Sequence, residues 1–204
     1  MKAVLISIRP KWCEKICHVI GKEEAGKPIY EKRIEVRKTA PKEVPFKAYI
    51  YETKESKMRY LNDRFNSFLN NKSHYTDMGK VIGEFICDKA ERFSVGSLRS
   101  DDIEKLACLS YNEMINYFYK PEELDGKTVK QGFAWHISDL KIYGEPKELS
   151  EFKTPPCEKS EKACEQCKYL VVINTPDMYE VDCFVENGRE ISRPPQSWCY
   201  VEER

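Results

Sequence analysis

Short stretches with the two-residue period of a β-strand recur along this chain at irregular intervals, interrupted by equally short stretches with helical spacing. Lys2 to Ile8 reads as a buried strand. Arg9-Pro10 then opens a helix, because proline is tolerated in a first turn and Trp12, Ile16 and Val19 follow at helical spacing. Gly21 to Pro28 reads as a polar loop. Arg33 to Lys38 alternates Ile34 and Val36 with Arg33, Glu35 and Arg37, which predicts a half-buried strand with one face in the core and the other charged. After a turn bracketed by Pro41 and Pro45, Phe46 to Thr53 has the aromatic and β-branched content of a strand, and Lys80 to Lys89, Phe133 to Tyr143 and Ile191 to Val201 read as further strands. Glu55 to Met78 reads as a helical excursion, and Pro146 to Phe152 as a short helical turn. Ser110 and Glu113 form a capping-box pattern that opens a helix through about Tyr119, with Met114, Ile115 and Phe118 inward. This uneven order excludes the regular strand and helix alternation of a doubly wound parallel sheet and predicts an α+β or small-barrel architecture.

At 204 residues the chain is long enough to bury one sizeable core, and it reads as a single domain, 1–204, rather than two equal ones. The 34 basic and 34 acidic residues leave no net charge, which argues against a protein that coats duplex DNA by bulk electrostatics; any nucleic-acid site must be local. The front of the chain suits anions better: Lys27 to Arg59 carries ten Lys or Arg against five Glu, whereas Glu145 to Arg204 carries eight basic and thirteen acidic residues. No apolar run has the length of a membrane span, and Ala3 to Ile8 is too short for a signal peptide, so the expected compartment is the cytoplasm. In that setting the nine cysteines read as thiols or metal ligands rather than a disulfide framework.

On the charged strand, Glu35 and Arg37 project from one face and Lys32 stands where the loop enters, so the three heads converge on one ligand or form a solvated face. A lysine placed there can donate to a phosphate or carbonyl, or serve as a base if desolvated. Glu84 is a second candidate, because its same-face neighbours Ile82 and Ile86 give it an apolar surround and a cation from the charged strand would partner it.

The segments KRIEVRK, KAYIYET, GKVIGEFICD, WHISDLKIY and RPPQSWCYVEE, in that order, resemble the ASCH domain of the PUA-like superfamily, in a bacterial and phage-type version with a late cysteine-bearing insertion. The family motif has the form G-x-K-x-x-E-x-R; Lys32, Glu35 and Arg37 match its charged positions, while Tyr30 occupies the glycine position. The resemblance is weakest over about 55–78 and 153–190, which marks these as insertions. It implies a small PUA-like β-barrel with flanking helices and a basic cleft that accepts RNA, a nucleotide or a modified base. One branch resembles an amidohydrolase acting on N4-acetylcytidine, with a Lys, a Thr three residues later and a Glu on a following strand. Lys32 and Glu84 match two of those roles, and Glu35 stands in place of the threonine. Ribonuclease activity is associated with the wider family.

Further ligand-binding candidates are Tyr51 on the third strand, Trp135 for base stacking, His136 as a base-edge reader or acid–base group, and Gln196 and Ser197, which the prolines before them hold in place. Trp12, Trp135 and Trp198 are the only tryptophans, and core packing is the competing use for each. Cys157, Cys164, Cys167 and Cys183 match a closed, structural four-thiolate zinc site, with free thiols or another metal or cluster as the alternatives; no organic cofactor is expected. Three readings follow: an RNA- or modified-nucleotide-binding module; a hydrolase of a modified nucleoside or RNA with Lys32 and Glu84 as catalytic residues; and an adapter that contacts a protein partner through the cysteine-bearing insertion.

Overall fold

A computed structural model describes residues 2–54, 78–123, 129–156, 170–175, 178–183 and 188–202. The larger sheet is ordered β12-β1-β5-β6-β9, where β1 is Lys2–Ile8, β5 Phe46–Glu52, β6 Val81–Cys87, β9 Ser138–Lys147 and β12 Trp198–Val201. β1 and β5 run parallel and the other pairs antiparallel. The centre is apolar on both faces, which is why β1 reads as a continuous hydrophobic run. Val4, Ile6 and Ile8 pack on one side with Phe46, Ile50, Phe85 and Trp135, and Ala3 and Leu5 pack on the other with Tyr49, Tyr51 and Phe152.

A second sheet, β4-β8-β7, is built from Ile34–Arg37, Gln131–His136 and Ala90–Ser94. The segment expected to be one strand, Phe133 to Tyr143, is two: β8 pairs with β4 and β7, the chain turns at Ile137, and β9 then pairs with β6. The two sheets therefore meet at a corner, with Trp135 buried between them edge-on to Phe46 at 4.9 Å. Among the described residues their ladders do not close on each other, so the expected closed barrel is replaced by two sheets in a mixed α and β fold.

Helix α1 (Pro10–Cys17) follows β1 directly and buries Cys13 and Ile16. Helix α2 (Leu98–Ala107) was not expected from the sequence; it ends at Cys108, whose φ of 54° is left-handed. Helix α3 (Tyr111–Phe118) has the predicted capping box: Ser110 Oγ accepts from the Glu113 amide, and the Glu113 carboxylate accepts from the Ser110 amide. Met114 and Phe118 join Ile34, Val36, Phe93 and Ile103 in a separate core under the second sheet. The polar loop expected over Gly21 to Pro28 is narrower, because β2 (Val19–Lys22) and β3 (Pro28–Tyr30) form a hairpin around it. Strands β10 (Leu170–Thr175) and β11 (Met178–Cys183) pair with each other. Among the described residues no helix is long and apolar enough to cross a membrane.

Candidate ligand-binding site

Strand β4 was expected to be half-buried, with a charged face that either converges on a ligand or is solvated; all four of its residues are buried. Ile34 and Val36 enter the core beneath α2 and α3, while Glu35 and Arg37 face the opposite way, under α1 and the segment that leads into β12. Such burial requires each charge to be partnered. The Glu35 carboxylate lies between two cations, with Oε1 2.9 Å from Arg37 Nη2 and Oε2 3.2 Å from Lys32 Nζ. Lys32 Nζ also donates to the Ala107 carbonyl at 2.7 Å, at the end of α2, where a cation is favoured by the helix dipole. Arg37 Nη2 donates to the Ser7 carbonyl at 2.7 Å, and Nη1 reaches Ser197 Oγ at 3.4 Å.

These groups form the wall of a cavity of about 660 Å³. Strand β1 and the start of α1 contribute Ser7, Arg9 and Trp12; α3 contributes Glu113, Asn116 and Tyr117; Pro194, Pro195 and Gln196 close another side. Three cations, Arg9, Lys32 and Arg37, thus face two carboxylates, Glu35 and Glu113. Lys32 Nζ stands 5.4 Å from the centroid of the Trp12 ring. Tyr117 keeps 38% of its surface exposed, and partial burial raises its pKa, with Arg37 opposing. Glu113 bonds to Lys11 of α1 at 2.5 Å, and this contact together with the Ser110 amide lowers its pKa to about 2. The Lys11–Glu113 pair ties α1 to α3.

Of the residues singled out in the sequence, the structure brings Lys32, Glu35, Arg37 and Gln196 together in this wall and sets Ser197 behind Arg37. It places the others elsewhere. Glu84 lies opposite Tyr49 and Lys141 in the larger sheet, where its Oε2 accepts from the Tyr143 hydroxyl at 2.5 Å. Burial, and then this carboxylate, push the Tyr143 pKa far above the usual phenol range. The expected pairing of Glu84 with a cation of the charged strand is thus replaced by one with a tyrosine. Tyr51 sits in the core on the far face of the larger sheet, and Trp135 is fully buried between the sheets. His136 lies half-buried on β8 opposite Ile34, its amide donating to the Lys89 carbonyl.

Cys157, Cys164 and Cys167 lie outside the described residues, and Cys183 ends β11. Among the described residues no cluster of His, Cys, Asp and Glu could hold a metal ion. Cys13 and Cys17 on α1 are thiols whose pKa burial raises, to about 11 for Cys17.

Arg9, Asn116 and Tyr117 were not among the site residues expected from the sequence, Glu113 was expected only as a capping residue, and Trp12 was left between stacking and packing. One signal was available for α3: Asn116 and Tyr117 lie three and four residues after Glu113, so they share a face that the inward Met114 and Phe118 leave free.

No protein-family model and no curated protein matches this chain. Among solved structures it is similar to ASCH from Zymomonas mobilis. The serine-to-alanine variant of that protein aligns at 16% identity over 99% of this chain and 89% of the other, with a TM-score of 0.51. The protein without a stated substitution aligns at 19% identity over 72% and 74%, with a TM-score of 0.46. A tyrosine-to-phenylalanine variant aligns at 17% over 73% and 77%, with a TM-score of 0.44. A likeness along nearly the whole chain at such low identity is one of backbone arrangement, and in that arrangement this chain has the fold of an ASCH domain.

Proposed function

We propose that the cavity binds a nucleotide-class ligand, either a modified nucleotide or a residue of RNA, and that the chain acts as a binding module. The observation that carries this reading is the meeting, in one cavity, of the buried cations Lys32 and Arg37 with the rings of Trp12 and Tyr117. Cationic N–H groups suit phosphate oxygens, aromatic faces suit a base, and the volume falls within the range for small-molecule pockets. The hydrolase reading has weaker support. Lys32 donates to the Ala107 carbonyl and is ion-paired with Glu35, and Glu84, its expected catalytic partner, is outside the cavity.

The test is calorimetric titration with nucleoside monophosphates, modified nucleosides and short RNAs. We expect dissociation constants on the order of micromolar, no product on prolonged incubation, and loss of binding in Lys32→Met with the far-ultraviolet circular dichroism spectrum retained. A Lys32→Met protein that binds as tightly as the parent would refute the reading, and released acetate or cleaved RNA would favour the hydrolase.

A further inference from the structure

The polar groups of the cavity wall divide into those the protein already engages and those it leaves open. Lys32, Glu35 and Arg37 are ion-paired with one another, and Lys32 and Arg37 also donate to the Ala107 and Ser7 carbonyls. Glu113 is matched by Lys11. Arg9 stands apart: it lines the cavity and is exposed, and among the described residues no hydrogen bond, ion pair or ring contact holds its guanidinium. Both carboxylates of the wall have cations of their own, so neither is left to neutralise it. Asn116 and Gln196 are also exposed and unengaged among the described residues, but their carboxamides carry no charge. Arg9 is therefore the cation of the wall whose N–H donors are all open to a ligand.

Its position suits that use. Arg9 is the N-cap of α1, Pro10 fills the first helical position, and the helix carries no acidic residue in its first turn, so the positive end of the helix dipole adds to the charge of Arg9. The Trp12 amide donates to the Arg9 carbonyl at 2.9 Å, and both residues line the cavity. An anion on Arg9 and a base against the Trp12 ring are thus set about one helical turn apart, roughly 5 Å, a separation that the sugar of a nucleotide spans. The guanidinium fork can also meet two oxygens of one phosphate, whereas Arg37 Nη2 already faces Glu35 and Ser7. Resting on the nucleotide-binding reading above, we infer that Arg9 is the residue that grips the ligand's phosphate, and that the buried trio sets the shape and field of the wall. The cavity then tells a phosphorylated ligand from its nucleoside through one exposed side chain.

Arg9→Gln tests this with little risk to the fold, because it breaks no hydrogen bond or ion pair of that side chain among the described residues. The full chain is titrated by calorimetry with the four ribonucleosides, each free and as its 5′- and 3′-monophosphate. The parent should bind a monophosphate about tenfold or more tighter than its nucleoside, the scale of charge-assisted hydrogen bonds. Arg9→Gln should remove that preference and leave nucleoside affinity unchanged. Lys38→Ala is the control, since it deletes an exposed cation that stands 5.3 Å from the Tyr117 ring centroid without lining the cavity, and the preference should survive it. A preference that survives Arg9→Gln, one that Lys38→Ala removes equally, or a parent that binds nucleoside and monophosphate alike overturns the inference and leaves nucleotide binding standing. No binding by these probes, by modified nucleosides or by short RNAs overturns both.

Discussion

Lys32, Glu35 and Arg37 direct much of their hydrogen-bonding capacity at the protein, which defines what remains for a ligand. An ammonium has three protons; on Lys32 one goes to Ala107, and Glu35 Oε2, 3.2 Å away, is ion-paired with it without accepting a hydrogen bond. Arg37 is held by Ser7, Glu35 and Ser197, and its Nε has no hydrogen-bond partner among the described residues. Fixed cations of this kind present a preorganised field, so ligand binding does not have to order them. Glu113 gives a measurable pH signature. Its pKa of about 2 in the fold lies below the ordinary 4.5, so its contribution to stability is fully present above about pH 4.5 and is lost as pH falls toward 2. With 38% of its side chain exposed, solvent screening reduces that contribution to about 1 kcal/mol. The difference in urea midpoint between the parent and Glu113→Gln should therefore be largest at neutral pH and shrink below pH 4; a difference that does not vary with pH would contradict this assignment. The polar identity of these residues was legible from the alternation in KRIEVRK, but their burial was not, because periodicity separates two faces without saying what covers the second.

At the scale of elements, α3 links stability to the site, since one face carries Met114 and Phe118 into the core and another carries Asn116 and Tyr117 to the cavity. Ser110→Ala removes the cap and should cost about 1 kcal/mol in chemical denaturation. It should also weaken ligand binding, because the helix start positions Glu113; unchanged affinity together with lost stability would separate the two roles. The cap was visible in the sequence because it depends only on residues three apart. Helix α2 was not, since among its described side chains only Ser100, Ile103 and Ala107 are buried, with Leu106 partly so, and these do not give a regular apolar stripe. The β10–β11 hairpin bears on the cysteines. Its register sets Cys183 opposite Leu170, at the open end of the hairpin, and Cys167 precedes Leu170 by three residues in sequence. On that basis we propose that Cys157, Cys164, Cys167 and Cys183 hold one structural zinc. Elemental analysis of the purified chain should find about one zinc per chain, lost in Cys183→Ser; a metal-free parent protein would refute the proposal.

For the whole molecule, the decisive feature is the corner at Ile137, where the chain leaves one sheet and enters the other. Trp135 fills the space inside that corner, packed against Phe46 and Trp198. Trp135→Ala should destabilise the fold by about 3–5 kcal/mol in urea unfolding, the cost of deleting a large buried aromatic ring. A loss below about 1 kcal/mol would mean that the corner does not depend on it. Trp135, Tyr51 and Glu84 do not share the cavity of the charged motif, because each is carried to a different face or layer: Trp135 between the sheets, Tyr51 on the far face of the larger sheet, Glu84 against Tyr143. The amino-acid sequence by itself determined the strand-rich mixed class, the capped helix and the charged trio on and just before β4, because those rest on local periodicity and on contacts within a few residues. Only the tertiary structure decided that the trio is buried, that α1 and α3 bring Trp12 and Tyr117 to it, and that Glu84 is paired with Tyr143. Those outcomes depend on how the sheets and helices divide the burial of one chain, and no segment of the chain encodes that division alone.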